Sequence, residues 1–231
     1  MMKDDEEDIH GFLTTRDALL ARGYSLLDKS KTHAAFATPE STADVTQFVE
    51  LKLVRSEGAI AVYYGVTNKR LEYLAIDACN IYWHQLGHPD RVRRGTTEYK
   101  RARFCKLQAF DERRMPWLES ALTQSPEACA SSILGYMERR FLPQLRALKT
   151  RQDHYALLSS DPDFFPWGRT GGALRFLQAA ILGTELGVPR DVLEATLTTH
   201  DRDVAMSFSK HESIRDFMRF ALIAADKFRR H

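Results

Sequence analysis

Two neighbouring apolar stretches, joined by a short loop that ends in glycine, constrain this chain most. In VTQFVELKLV, residues 45–54, apolar side chains alternate with Thr46, Glu50 and Lys52, which is the period of a half-buried strand. RSEG follows and ends in Gly58, and AIAVYYGV is then continuously apolar, as is typical of a central strand. Because the loop is short, the two stretches predict a hairpin and an antiparallel sheet.

The residues on either side of this hairpin extend the sheet and add helices. YSLLDK and HAAFAT are shorter candidate strands, and an acidic run at residues 3–8 precedes them. Acidic residues are favoured at the start of a helix, so this run predicts an N-terminal helix that stops at Gly23. TNKRLEYLAIDACNIYWHQLG has apolar residues three to four apart and predicts a helix that ends at Gly87. A strand over residues 77–87 is the alternative.

The second half of the chain has helical spacing from Asp111 onward, after a candidate strand in RFCKLQAF. Ser125 followed by Pro126 is a strong signal for a helix start, and Pro143 should break or kink that helix. The sequence therefore predicts an α+β fold, with a small antiparallel sheet flanked by helices in residues 1–110. An all-helical C-terminal extension, residues 111–231, is expected to pack on it as one continuous unit.

Composition excludes several classes of protein. The chain has 231 residues, of which 44% are hydrophobic, so a disordered chain is not expected. Its apolar runs fall short of the ~18 residues that a membrane helix needs, and its start does not have the pattern of a secretory signal. Three widely spaced cysteines form no C-x-x-C pair and predict free thiols. We expect a cytoplasmic protein.

Positive charge is concentrated in residues 91–106. This segment, called the basic segment below, holds seven Lys and Arg against Glu98, whereas the whole chain has a net charge of only +2. The rest of the chain is therefore net negative and would repel a long polyanion. A patch so confined favours an acidic protein partner. The residues predicted to bind that partner are Arg91, Arg93, Arg94, Lys100, Arg101 and Arg103.

Two alternatives for the basic segment remain open. It is also what a solvated loop beside an edge strand would contain, because Lys and Arg discourage further strand pairing. Nucleic-acid phosphate is a less favoured partner, since few aromatic side chains for base stacking accompany the charges.

A second candidate site is the glycine-rich stretch WGRTGGALRF. Arg169, Thr170, Gly171 and Gly172 precede a predicted helix, and backbone N–H groups at a helix start bind anions. An enzyme site near residues 161–172 is therefore the alternative to a binding protein, although the stretch lacks the Lys-Ser/Thr of a phosphate-binding loop. A capped helix start after a turn is the simpler interpretation.

The remaining motifs predict neither catalysis, a metal site nor a cofactor. HQLGH spaces His84 and His88 four residues apart, but Gly87 is expected to end the helix between them, and the glutamate of a zinc-protease motif is replaced by Gln85. No serine or cysteine has a recognisable partner pattern for nucleophilic catalysis.

The order of these elements resembles small bacterial α+β proteins that act as immunity or accessory proteins beside polymorphic toxins. The resemblance covers roughly the first 150 residues and includes the strings YYGV, WLESAL and FLPQLRALKT. It implies a non-catalytic protein that occludes a toxin or another acidic partner. It assigns no binding residues, because no motif anchors them.

Overall fold

The protein is described by a computed structural model over residues 4–54, 59–87, 125–140, 142–159, 172–199 and 214–229. Four strands lie in these residues: β1 (Ser25–Lys29), β2 (His33–Ala37), β3 (Thr46–Val54) and β4 (Ala59–Thr67). Eight helices accompany them: α1 (Asp4–Ala21), α2 (Lys69–Gln85), α3 (Pro126–Arg140), α4 (Leu142–Ala147), α5 (Arg151–Ser159), α6 (Gly172–Glu185), α7 (Arg190–Thr199) and α8 (Ile214–Arg229). The α+β prediction is confirmed, and so is the helix predicted over residues 77–87.

The sheet is an antiparallel meander in the order β1-β2-β3-β4. In the pairing of β2 with β3, Phe36 lies opposite Val49 and Ala35 lies opposite Glu50. Because successive side chains alternate between faces, Phe36 and Val49 share one face and Ala35 and Glu50 share the other. The hairpin of β3 and β4 is where the alternation predicted it.

The edge strand β1 contains a bulge. Its pairing with β2 shifts register between Leu26 and Asp28, so Leu27 is the extra residue. Both leucines are more than one third exposed. A short edge strand with a bulge and the charged residues Asp28 and Lys29 is poorly suited to pairing with a further strand.

The chain divides into two compact units, and each combines two separate stretches. The first, called the sheet unit, spans Met1–Val66 and Gln108–Lys149. The second, called the helical unit, spans Thr67–Leu107 and Thr150–His231. The boundary predicted near residue 110 lies outside the described residues and stays a prediction, as do the strand RFCKLQAF and the helix predicted to begin at Asp111.

Helices α1 and α3 pack against each other in the sheet unit. Phe12 and Leu19 of α1 and Ile133 of α3 are almost completely buried. At Gly11, an added Cβ would lie 3.6 Å from the Sγ atom of Cys129, so the two helices approach closely there. The acidic start of α1 and its end before Gly23, which has φ +82°, agree with the sequence prediction.

A buried polar network ties the β2–β3 region to the end of α4. Gln47 is fully buried, and its Oε1 atom accepts a 2.9 Å hydrogen bond from the Thr38 hydroxyl. Its Nε2 group donates to the Leu148 carbonyl at 3.0 Å. Arg146 of α4 donates to Glu40 at 2.9 Å. The bond from Gln47 satisfies the Leu148 carbonyl, which lies just beyond α4 and has no partner within the helix.

Helix α6 is central to the helical unit and packs against α2, α5, α7 and α8. Residues 177–182 are all buried, as the broad apolar face of this segment predicted. Gly183 allows a close approach, because a Cβ there would lie 2.5 Å from Leu193 Cδ2 and 2.7 Å from Tyr155 Cε2. No helix among the described residues is long and apolar enough to cross a membrane.

Candidate functional site

Helix α2 leads into the basic segment, and its two ends are set by local hydrogen bonds. Asn68 is the N-cap, and its side chain accepts a 2.9 Å bond from the Leu71 N–H group, which satisfies one of the unpaired donors of the first turn. At the other end Gly87 has φ +73° and donates to the His84 carbonyl at 3.1 Å. The helix therefore ends where Gly87 predicted.

One side of α2 belongs to the core of the helical unit. Its buried hydrophobic residues are Leu71, Ala75, Ala78, Cys79, Tyr82 and Trp83. The Tyr82 ring packs edge-on against Phe217 of α8, with 5.0 Å between ring centroids. Such aromatic pairs add stability beyond the area they bury, so α2 is held firmly against α8.

Helix α2 and its C-cap residue expose three large apolar side chains. Tyr73 is 49%, Ile81 42% and the C-cap residue Leu86 43% exposed, and we call these three residues the α2 surface. Single exposed apolar residues are common on soluble proteins. Leu86, however, precedes Arg91 by only five residues of sequence, so the exposed end of α2 is close along the chain to the basic segment.

All six predicted partner-binding residues of the basic segment lie outside the described residues. Their role in binding therefore stays a prediction.

The predicted anion site is described only at Gly172, which is the first residue of α6. Arg169, Thr170 and Gly171 lie outside the described residues, as does most of the stretch 161–172. A helix does start where WGRTGG predicted one, and the binding of an anion there stays a prediction.

The first histidine of the HQLGH motif lies at the end of a helix, as the predicted helix end at Gly87 implied. His84 is exposed in the last turn of α2, while His88 lies outside the described residues. Within the described ranges, no group of three or more His, Cys, Asp or Glu side chains is placed to hold a metal ion. Cys79 and Cys129 are buried thiols and are not in disulfide bonds.

A histidine–carboxylate pair lies on the sheet, and the sequence did not predict it. His33 Nε2 and Glu50 Oε1 are 2.7 Å apart, and the side chains are 19% and 4% exposed. The alternation in β3 had placed Glu50 on a solvent-facing side. The pair is diagonal, since His33 lies opposite Lys52 and Ala35 lies opposite Glu50. Only the register of β2 on β3 brings these residues together, and register was not readable from the sequence.

A second charged cluster joins three helices of the helical unit. Glu185, at the end of α6, is 10% exposed and accepts hydrogen bonds from Arg70 of α2 and Arg151 of α5. The distance to Arg70 is 2.5 Å. Both arginines stand in the first turn of their helices, more than 80 residues apart in the sequence. Glu185 therefore neutralises charge where two helix starts meet, which is a structural role.

Among the described residues of the helical unit, His154 has the most strongly shifted pKa. It lies on α5 and is 2% exposed. Burial lowers the pKa of His154 from 6.5 to about 4, because the charged imidazolium would lose its hydration. The side chain is therefore neutral at physiological pH.

Comparison with known proteins identifies no relative. No protein-family model matches the chain, and neither a curated protein nor a solved structure is significantly similar to it. The resemblance to immunity proteins accordingly stays a prediction.

Proposed function

We propose that the chain is a cytoplasmic, non-catalytic protein-binding module with an acidic partner. The observation that carries this proposal is the exposure of Ile81 and Leu86 on the helix that leads into the basic segment. An immunity or accessory protein that occludes a toxin is the specific form of the proposal, and it rests on the order of the elements.

The α2 surface and the basic segment supply complementary parts of a protein interface. Binding interfaces combine apolar residues at their centre with polar and charged residues at the rim. Exposed Ile81 and Leu86 suit the centre, and the arginines that begin at Arg91 suit the rim. Charge at a rim accelerates association with an oppositely charged surface more than it strengthens the final complex.

Nucleic acid fits this arrangement less well than an acidic protein. Ile81 and Leu86 offer no donor to a phosphate and no ring for base stacking, and Tyr73 is the single aromatic residue of the α2 surface. An enzyme near residues 161–172 is the other alternative, and all of that stretch except Gly172 lies outside the described residues.

The test compares two triple charge reversals that change net charge equally. The first is R93E/R94E/R101E in the basic segment. The control is R22E/K29E/K31E, since Arg22, Lys29 and Lys31 are exposed residues of the sheet unit. Partners are captured from an extract of the native cells, and association of the recovered protein is then measured at several salt concentrations.

We expect the first reversal to slow association and the control to leave it nearly unchanged. The difference should shrink as salt rises, because the Debye length falls from about 10 Å at 0.1 M to about 3 Å at 1 M. I81S/L86S should instead accelerate dissociation. Equal effects of the two reversals would refute the role of the basic segment. Tight nucleic-acid binding at physiological salt, lost in R93E/R94E/R101E alone, would replace the proposal with the nucleic-acid alternative.

A further inference from the structure

A cavity of about 230 Å³ lies in the helical unit between the α6–α7 turn and α8. Its apolar lining comes from Val188, Leu193 and Leu222, of which Leu193 and Leu222 are almost fully buried. Thr184 also lines the cavity, but its hydroxyl already donates to the Ala180 carbonyl at 2.8 Å. The lining of the cavity therefore combines aliphatic side chains with polar groups.

The mouth of the cavity carries one positive and one negative side chain. Arg190 and Asp226 both line it, and Arg190 Nη1 lies 3.4 Å from Asp226 Oδ2. Their side chains are 55% and 51% exposed. This distance is long for a charged hydrogen bond, and exposed ion pairs contribute little to stability. The two groups are therefore free to exchange this contact for a ligand at little cost.

A third side chain also contacts the arginine. Arg190 Nε donates to Glu194 Oε1 at 3.1 Å, one helical turn along α7. This bond uses the Nε edge of the guanidinium, whereas Nη1 is the group nearest Asp226. A guanidinium can bind a carboxylate through two parallel hydrogen bonds from its Nη groups.

We infer that this cavity binds a free α-amino acid with an aliphatic side chain, of the size of leucine. The ligand carboxylate pairs with Arg190, the ammonium group pairs with Asp226, and the side chain lies against Val188, Leu193 and Leu222. An amino acid carries its two charges a few bonds apart, which matches the adjacent opposite charges at the mouth. A cavity of ~150 Å³ holds benzene, so the space here is sufficient for an aliphatic side chain and its polar head.

The two charges at the mouth also favour a zwitterion over two simpler ligands, a carboxylate and an amine. A carboxylate without an ammonium group would pair with Arg190 but would face Asp226 and Glu194 as like charges. An aliphatic amine would pair with Asp226 but would make no favourable contact with Arg190. A zwitterion uses both charges, so it should bind more tightly than either.

The inference is tested by isothermal titration calorimetry with four small molecules. L-leucine is the proposed ligand, 4-methylpentanoate lacks the ammonium group, isopentylamine lacks the carboxylate, and glycine lacks the side chain. The variants are R190Q and D226N, both at exposed positions. R16Q is the matched control, because Arg16 forms a similar ion pair with Asp17 in the sheet unit.

We expect L-leucine to bind, and each analogue to bind at least about tenfold more weakly. The loss corresponds to one charged contact for 4-methylpentanoate and isopentylamine, and to the apolar contact of the side chain for glycine. R190Q and D226N should weaken leucine binding by a similar factor, and R16Q should leave it unchanged. Three results would overturn the inference: no heat of binding with leucine, equal binding of isopentylamine, or unchanged affinity in both variants.

Discussion

The neutral state of His154 leads to a quantitative prediction about acid stability. The folded pKa of about 4 lies below the value of 6.5 for an exposed histidine. The unfolded chain therefore takes up a proton first as pH falls, and the folded state is destabilised between pH 6.5 and about 4. The contribution of neutral His154 to folding stability is fully present above pH 6.5 and is lost as pH falls towards the folded pKa.

The size of the effect follows from the pKa difference. Each pKa unit corresponds to about 1.4 kcal/mol, and a shift from 6.5 to about 4 gives about 3 kcal/mol in all. Because His154 is only 2% exposed, solvent screening reduces this free energy only slightly.

The assay is urea unfolding of the wild type and of H154Q at half-unit steps from pH 7.5 to 4.5. Glutamine occupies similar space and does not titrate. Between these limits the free energy of unfolding should fall by about 2–3 kcal/mol more in the wild type than in H154Q, since pH 4.5 is still above the folded pKa. All other titrating groups are common to the two proteins and cancel in the difference. Parallel curves would show that the pKa of His154 is the same in the folded and the unfolded protein, contrary to its burial.

Two further predictions concern packing and buried polarity. G183A should lower the free energy of unfolding by about 1–3 kcal/mol, because its methyl group would overlap Leu193 and Tyr155; thermal denaturation measures this, and G183A should cost less in the L193A background than in the wild type. Q47L should cost about 1–3 kcal/mol by leaving the Leu148 carbonyl without its donor, and wild-type stability in denaturant titrations of Q47L would refute that role.

Much of the fold was readable because its signals are local. The alternation in residues 45–54 predicted β3, Gly23 and Gly87 predicted the ends of α1 and α2, and the spacing in WGRTGGALRFLQAAILG predicted the buried helix α6. Each of these signals depends on side chains within one turn or a few strand residues, and the chain conformation follows from them directly.

The features that the sequence did not predict depend on contacts between residues that are far apart along the chain. Glu50 has the position of a solvent-facing strand residue, yet it is buried against His33, 17 residues away. Arg190 and Asp226 are 36 residues apart and share the mouth of one cavity. No short window of sequence contains such a pair, so only strand register and helix packing reveal it. The basic segment, in contrast, was visible in the sequence because charge density is local.

The interleaved order of the two units has a consequence for synthesis. Helix α3 packs against α1 in the sheet unit, but residues 67–107 of the helical unit are made between the two parts of the sheet unit. At 5–20 residues per second, the 60 residues from Val66 to Pro126 take ~3–12 s to translate. During those seconds the apolar residues of α1 lack α3, and the nascent chain presents a surface of the kind that holding chaperones bind.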